Sequence, residues 1–93
     1  MIRSIGDIET KLIYNQERSK KLPAEIQERA LIKLMLIDAA EKISDLKAPP
    51  SNRLEKLKGD LENHWSIRIN DQWRIILQFE DGNAYNVRIT DYH

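Results

Sequence analysis

The sequence predicts an α+β fold, with two N-terminal helices packed on a small twisted antiparallel sheet. The first half repeats apolar residues at a helical period, whereas residues 65–90 alternate apolar and polar residues. The pair Pro49-Pro50 separates the two patterns, because proline does not continue a helix. A chain of 93 residues has room for one hydrophobic core. Residues 1–93 are therefore expected to form a single domain.

The first predicted elements are a short strand and a short helix. Residues 2–5 begin and end with isoleucine and are expected to form a strand, which Gly6-Asp7 ends. Asp7 offers an N-cap for the helix that follows. Ile8, Leu12 and Ile13 have the spacing of one helical face.

A second, longer helix is predicted to begin at Leu22-Pro23, since proline is favoured at the first helical position. Further apolar residues on both sides of its main stripe widen the apolar face beyond that of a half-buried helix. We expect the sheet and the first helix to cover it, and a partner protein is the alternative cover. The main stripe comprises Ile26, Ala30, Leu34 and Ile37.

Three strands with a period of two follow, joined by the turn-forming sequences 70–72 and 81–83. They predict an antiparallel meander with one apolar face, which places Trp73 and Tyr85 in the core. That face comprises Trp65, Ile67, Ile69, Trp73, Ile75, Leu77, Phe79, Tyr85, Val87 and Ile89. The opposite, locally cationic face carries Ser66, Arg68, Asn70, Arg74, Gln78, Asn86 and Arg88.

Composition limits the chemistry that is available. Fifteen basic residues balance fifteen acidic ones, which argues mildly against a nucleic-acid binder but permits a local cationic site. The chain has no cysteine and only two histidines, so disulfides and thiolate zinc sites are excluded and no metal is expected. His64 is expected to be a solvated surface residue. No membrane span or secretory signal is found, and we expect a cytoplasmic protein.

The sequence ends in Asp91-Tyr92-His93, three residue types that can transfer protons, directly after the last predicted strand. A frayed tail is the simpler interpretation. However, RNA cleavage without a metal needs a base, an acid and positive charge for the phosphorane. Lys58 and Arg74, both expected to be exposed on the polar face, are candidate cations for that purpose.

Four sequence pieces follow one another along the second half of the chain: Leu57-Lys58-Gly59-Asp60, Trp65-Ser66-Ile67, Trp73-Arg74-Ile75 and Asp91-Tyr92-His93. In these pieces and their order the chain resembles the HigB toxins of the RelE superfamily. The resemblance is close over residues 49–93. It implies a RelE-like fold and ribosome-dependent endonucleolytic cleavage of mRNA, with no metal and no small-molecule cofactor.

The resemblance also implies roles for individual residues. Lys58 and Arg74 would hold or neutralise the scissile phosphate. Asp91, Tyr92 and His93 would form the acid-base end, with either Asp91 or His93 as the proton shuttle. Tyr92 would either stack on the codon or form a hydrogen bond nearby. Some HigB toxins have a histidine where this chain has Glu55. This difference and the zero net charge predict a weaker or differently tuned nuclease. The predicted RNA contacts are Arg53, Glu55, Lys56, Arg68, Asn70 and Arg88.

The implied partners are the ribosome with its mRNA and a HigA-like helix-turn-helix antitoxin, which would dock on the helical side. No membrane partner is expected. Two alternatives use the same fold. A ParE-like toxin would inhibit DNA gyrase and would not need the acid-base tail, and a binding module without catalysis would suit the neutral charge.

Overall fold

The computed structural model describes residues 1–91. Its helices are α1 (Ile8–Tyr14) and α2 (Ala24–Ala39), and its strands are β1 (Glu55–Lys56), β2 (Trp65–Arg68), β3 (Trp73–Glu80) and β4 (Asn83–Asp91). The strands form one sheet in the order β1-β2-β3-β4, and all neighbours are antiparallel. Short 3-10 turns span Ile43–Lys47, Pro50–Asn52 and Gly59–Leu61. Two helices packed on an antiparallel sheet confirm the predicted α+β class.

Helix α1 begins as predicted but faces the sheet differently. The Asp7 carboxylate accepts a hydrogen bond from the Thr10 amide at 2.7 Å, which confirms the N-cap. Thr10 and Ile13 are buried, and the Thr10 hydroxyl accepts a hydrogen bond from the Ile89 amide of β4. Ile8 is 71% exposed, so its predicted place on the buried face is wrong. The buried face of this short helix contains Thr10 and Ile13, which are three residues apart.

Helix α2 follows Pro23 and buries the predicted stripe, Ile26, Ala30, Leu34 and Ile37, in the core. The wider apolar face is only partly covered, because Ile32 is 52% and Met35 58% exposed. The expectation that the chain itself covers α2 on more than one side is therefore too broad. Within residues 1–91, neither helix has the length and apolar character to cross a bilayer.

The predicted N-terminal strand is reduced to two isolated parallel bridges, Ile2 to Ala84 and Ile5 to Val87. They lie along the free edge of β4 and cover part of it. At the other edge of the sheet is β1, a two-residue strand that the sequence pattern did not predict. Its residues, Glu55 and Lys56, pair with Ser66 and Trp65 of β2.

The meander follows the predicted alternation over most of its length. Ile67 of β2, Ile75 of β3 and Ile89 of β4 oppose one another and lie in the core. Trp65 and Trp73 are half-buried and pack against this core from the strand ends. Asp81 and Gly82 form the β3–β4 turn at φ values of 51° and 80°, and such positive values suit a two-residue hairpin turn.

A β-bulge in β4 breaks the alternation. Ile76 pairs with Arg88 and Gln78 pairs with Tyr85, so two residues of β4 oppose Leu77 of β3. The extra residue turns Tyr85 to the polar face, where it is 36% exposed. Its predicted core position is wrong for this reason.

Candidate active site

The polar face of the sheet carries an open cavity of about 630 Å³, which we call the groove. Ligand sites typically have volumes of about 300–1,000 Å³. The groove lies between the segment that contains β1 and the C-terminal end of β4. Its lining comprises Glu55, Lys56, Leu57, Lys58, Leu61, Ser66, Ile76, Thr90 and Asp91.

Arg74 lies beside the groove and is fixed by hydrogen bonds. Its Nε donates to the Ser66 hydroxyl at 3.0 Å, and its Nη2 donates to the Arg53 carbonyl at 2.8 Å. Only 7% of the residue is exposed, so the expectation that Arg74 is an exposed polar-face residue is wrong. The reason is that its side chain extends across β2 towards the β1 segment, which then covers it. The guanidinium is a positive charge in a fixed position.

A carboxylate balances part of that charge. Glu55 Oε2 lies 3.9 Å from Arg74 Nη2, which is the outer limit of an ion pair. About half of the Glu55 side chain is exposed, and it lines the groove. Glu55 can therefore orient Arg74, and it can also meet a ligand in the groove as a proton acceptor.

Lys58 and Asp91 come from opposite ends of the sheet region and line the same groove. Lys58 is exposed and precedes Gly59, whose φ of 69° is the left-handed conformation that glycine adopts easily. Asp91 pairs with Trp73 at the end of β4 and accepts a hydrogen bond from Gln72 Nε2 at 3.2 Å. The fold thus brings a cation and an acid together across 33 residues of sequence.

Tyr92 and His93 lie outside the described residues, and their roles stay predictions. They follow Asp91 directly in the sequence, and Asp91 is part of the groove lining. The proton-transfer residues predicted at positions 91–93 therefore begin at the groove.

Of the six predicted RNA contacts, Glu55 and Lys56 line the groove. Arg53 is exposed and contributes its backbone carbonyl to Arg74. Arg68 forms an ion pair with Asp71 and lines a different cavity, together with Arg29 and Lys33 of α2.

Asn70 and Arg88 have local partners instead. The Asn70 side-chain oxygen accepts hydrogen bonds from the amides of Gln72 and Trp73 at 2.9 and 2.8 Å, which fixes the β2–β3 turn. Arg88 Nη1 donates to the Asn86 carbonyl beside the bulge at 2.9 Å. Neither residue is part of the groove lining.

His64 differs from the solvated surface residue that the sequence predicted. It is half-buried, and its Nδ1 is enclosed without a hydrogen-bond partner among the described residues. Burial lowers the pKa of His64, and the positive charge of Arg88 lowers it further. The prediction of a solvated histidine is wrong because the segment that carries β1 packs back on this turn, where the Leu57 amide donates to the His64 carbonyl.

Sequence reasoning missed the role of Ser66 in the site. Alternation placed it on the polar face, but only the structure shows that its buried hydroxyl orients Arg74. Ile76 and Thr90 also line the groove without having been singled out. No group of three or more His, Cys, Asp and Glu residues in the described part of the chain is placed to hold a metal ion.

The fold is shared with solved toxin structures. YoeB in the YoeB-YefM toxin-antitoxin complex of Staphylococcus aureus matches with a TM-score of 0.62 and 20% identity, over 100% of this chain and 95% of that chain. YafQ of E. coli matches with a TM-score of 0.60 and 14% identity, over 98% of this chain and 91% of that chain. At these identities the likeness concerns the fold, which this chain shares with both structures.

Sequence comparison makes the assignment specific. The family model described as a RelE-like toxin of type II toxin-antitoxin system HigB matches residues 7–93, so this chain belongs to the HigB-like toxin family. "Endoribonuclease HigB" of Proteus vulgaris is 37% identical over 93 residues, all of both chains. "Toxin HigB-1" of Vibrio cholerae is 43% identical over 72 residues, 77% of this chain and 76% of that protein. The predicted family is thus confirmed.

Proposed function

We propose that this chain is the toxin of a type II toxin-antitoxin pair and cleaves mRNA endonucleolytically on the ribosome, in the cytoplasm. The observation that carries the proposal is the fixed guanidinium of Arg74 beside a groove that Lys58 and Asp91 both line. The full-length similarity to a protein named an endoribonuclease supports the same activity.

The reaction that suits these groups begins at the 2′-hydroxyl of the RNA. A base removes its proton, the 2′-oxygen bonds to the adjacent phosphorus, and the bond from phosphorus to the 5′-oxygen breaks. An acid protonates the departing 5′-oxygen, which leaves a 2′,3′-cyclic phosphate and a 5′-hydroxyl. Asp91, Tyr92 and His93 are the proposed acid and base groups, and Glu55 is a further candidate base.

Positive charge is needed where the phosphorane forms, and Arg74 and Lys58 are proposed to supply it. The hydrogen bonds to the Ser66 hydroxyl and the Arg53 carbonyl hold the guanidinium of Arg74 in place before substrate binds. A group that does not have to reorganise during the reaction stabilises a developing charge more effectively. Lys58 is exposed and provides a movable cation on the groove wall.

The test is cell-free translation with purified ribosomes, followed by mapping of the new RNA ends. The proposal predicts cuts in phase with codons in the presence of ribosomes, and no such cuts on the same RNA alone. Cuts on naked RNA without phase would overturn the ribosome dependence. Absence of cuts together with inhibition of gyrase supercoiling would instead support the ParE-like alternative.

We further propose that a HigA-like helix-turn-helix antitoxin binds the helical side. Three large apolar side chains are exposed there, Ile8 of α1 and Ile32 and Met35 of α2. Ile32 and Met35 are three residues apart and lie on one side of the helix. A solvent-exposed apolar surface of this kind suits a protein partner better than it suits RNA.

A further inference from the structure

A second cavity, of about 540 Å³, lies next to the groove and shares Lys56 with it. We call it the aromatic cavity, because Trp65, Phe79 and Tyr85 are among its lining residues. Amide side chains, among them those of Asn63 and Gln78, provide hydrogen-bonding groups in the same lining. A planar ligand with polar edges matches this combination of rings and amides.

The bulge in β4 accounts for the presence of Tyr85 in this cavity. Without the extra residue, alternation would direct the ring into the core, as the sequence pattern predicts. Asn86, within the bulge, has a φ of 53°, a left-handed conformation that non-glycine residues adopt rarely. Bulges occur often beside functional sites, where they redirect a side chain. The backbone irregularity thus exposes an aromatic ring next to the groove.

A cation, Lys56, lies at the border between the two cavities. Lys56 Nζ lies 5.6 Å from the centroid of the Trp65 ring, at the border where it also lines the groove. Glu80 lines the aromatic cavity, and its carboxylate would repel a phosphate but accept hydrogen bonds from an exocyclic amino group. The border therefore favours a phosphate and the interior favours a base.

We propose that the aromatic cavity binds the base of a nucleotide adjacent to the scissile one, with Lys56 contacting the phosphate between them. This inference rests on the proposed function, since it extends the RNA beyond the groove. Stacking on aromatic side chains contributes about 1–3 kcal/mol per base and requires no particular sequence. The cavity would hold the mRNA in register over the acid and base groups.

The direct test uses fluorescence, because Trp65 and Trp73 are the only tryptophans. In Trp73→Phe, Trp65 is the single reporter, and a 2′-O-methyl oligoadenylate cannot be cleaved by 2′-hydroxyl attack. Saturation with this RNA should quench Trp65, whereas an abasic oligomer of equal length should not. Absence of quenching at saturation, or equal quenching by both oligomers, would overturn the proposal. Circular dichroism checks that Trp73→Phe is folded.

A second measurement does not depend on Trp73→Phe. Anisotropy of a labelled 2′-O-methyl oligoadenylate should show binding weakened about 5- to 150-fold by Tyr85→Ala, the equivalent of one stacked base. Tyr85→Phe should retain the affinity. Lys56→Ala should weaken both the base-containing and the abasic oligomer, and Lys20→Ala, at an exposed residue that lines neither cavity, is its control. Equal affinity of Tyr85→Ala and wild type would overturn the base site.

The mapping of cuts on translated mRNA separates this inference from the proposed function. Phased cuts by the wild type, together with no quenching of Trp65 in Trp73→Phe, would overturn the base site alone. Quenching without any cuts would overturn the nuclease and leave a nucleotide-binding site.

Discussion

The groove side and the helical side of this molecule depart from the usual distribution of residues in opposite ways. On the groove side, polar groups are buried, with Ser66 and Arg74 covered by the segment that contains β1. On the helical side, apolar groups are exposed, namely Ile8, Ile32 and Met35. Buried polar groups and exposed apolar groups are more informative than exposed polar groups and buried apolar groups, because each of the former has an energetic cost in the isolated chain.

The difference assigns separate tasks to the two sides. A buried and hydrogen-bonded arginine presents charge at a fixed point, as an anionic substrate requires. Exposed apolar side chains gain free energy only when another surface covers them. We therefore infer that catalysis and antitoxin binding use different surfaces, so substitutions should be able to affect one without the other.

The largest effect is expected from the C-terminal residues. A chain that ends at Asp91 retains every strand pairing of β3 and β4 that the structure describes. Loss of Tyr92 and His93 should lower cleavage by about 10²- to 10⁴-fold, because each general acid or base contributes a factor of that size. Cut mapping and thermal melting of the same preparations provide the measurement. A normally folded truncation with wild-type cleavage would restore the interpretation of these residues as a frayed tail.

Substitutions of Arg74 and Lys58 should differ in their effect on stability, because Arg74 is buried and Lys58 is exposed. Lys58→Ala should lower cleavage by about 10²- to 10³-fold and change the free energy of unfolding by less than about 0.5 kcal/mol. Arg74→Ala should lower cleavage similarly but also destabilise the fold by about 1–3 kcal/mol, because buried hydrogen-bonding groups lose their partner. Urea unfolding with parallel cleavage assays compares them. Equal stability of the two variants would contradict the anchored position of Arg74.

A negative charge introduced on the helical side should have a smaller effect, which is limited to the affinity for the antitoxin. Ile32→Glu and Met35→Glu should weaken antitoxin binding about tenfold or more, since interface anchors commonly contribute over 1 kcal/mol. Both positions are exposed, so stability and cleavage should be retained. Titration calorimetry with purified antitoxin gives the affinity. Loss of binding in Lys58→Ala, with unchanged affinity in both helical variants, would reverse the assignment of surfaces.

The smallest effect concerns pH and His64, which directly precedes β2. Burial, followed by the charge of Arg88, lowers the pKa of His64 below its ordinary value of 6.5. The unfolded chain then binds the proton at higher pH than the folded one. The contribution of His64 to stability is therefore complete above pH 6.5 and is lost as the pH falls through the pKa of His64 in the folded chain. Thermal melting from pH 7.5 to 5 should show a shallower decline for His64→Gln than for wild type. Parallel curves would indicate a solvated imidazole.

Local pattern predicted much of the fold, and its errors have specific causes. The alternation through Ile67, Ile75 and Ile89 was correct because each lies in regular pairing. Tyr85 was wrong because the bulge inserts one residue, which alternation cannot anticipate. Ile8 was wrong because α1 is short and contacts the sheet through Thr10 and Ile13.

The sequence by itself determined the class of fold, the main core positions and the family, because helical and strand periods are properties of the local backbone and the motifs are linear. Tertiary structure decided which charged residues share the groove. Lys58 and Asp91 meet there while Arg68 and Arg88 do not, although all lie in or beside the same sheet. Burial of Arg74 and exposure of Tyr85 were decided the same way. The physical reason is that segments distant in sequence decide whether a side chain is covered or exposed. Here the Arg74 side chain extends across β2 to the segment that contains β1, and a bulge in β4 turns Tyr85 to the polar face.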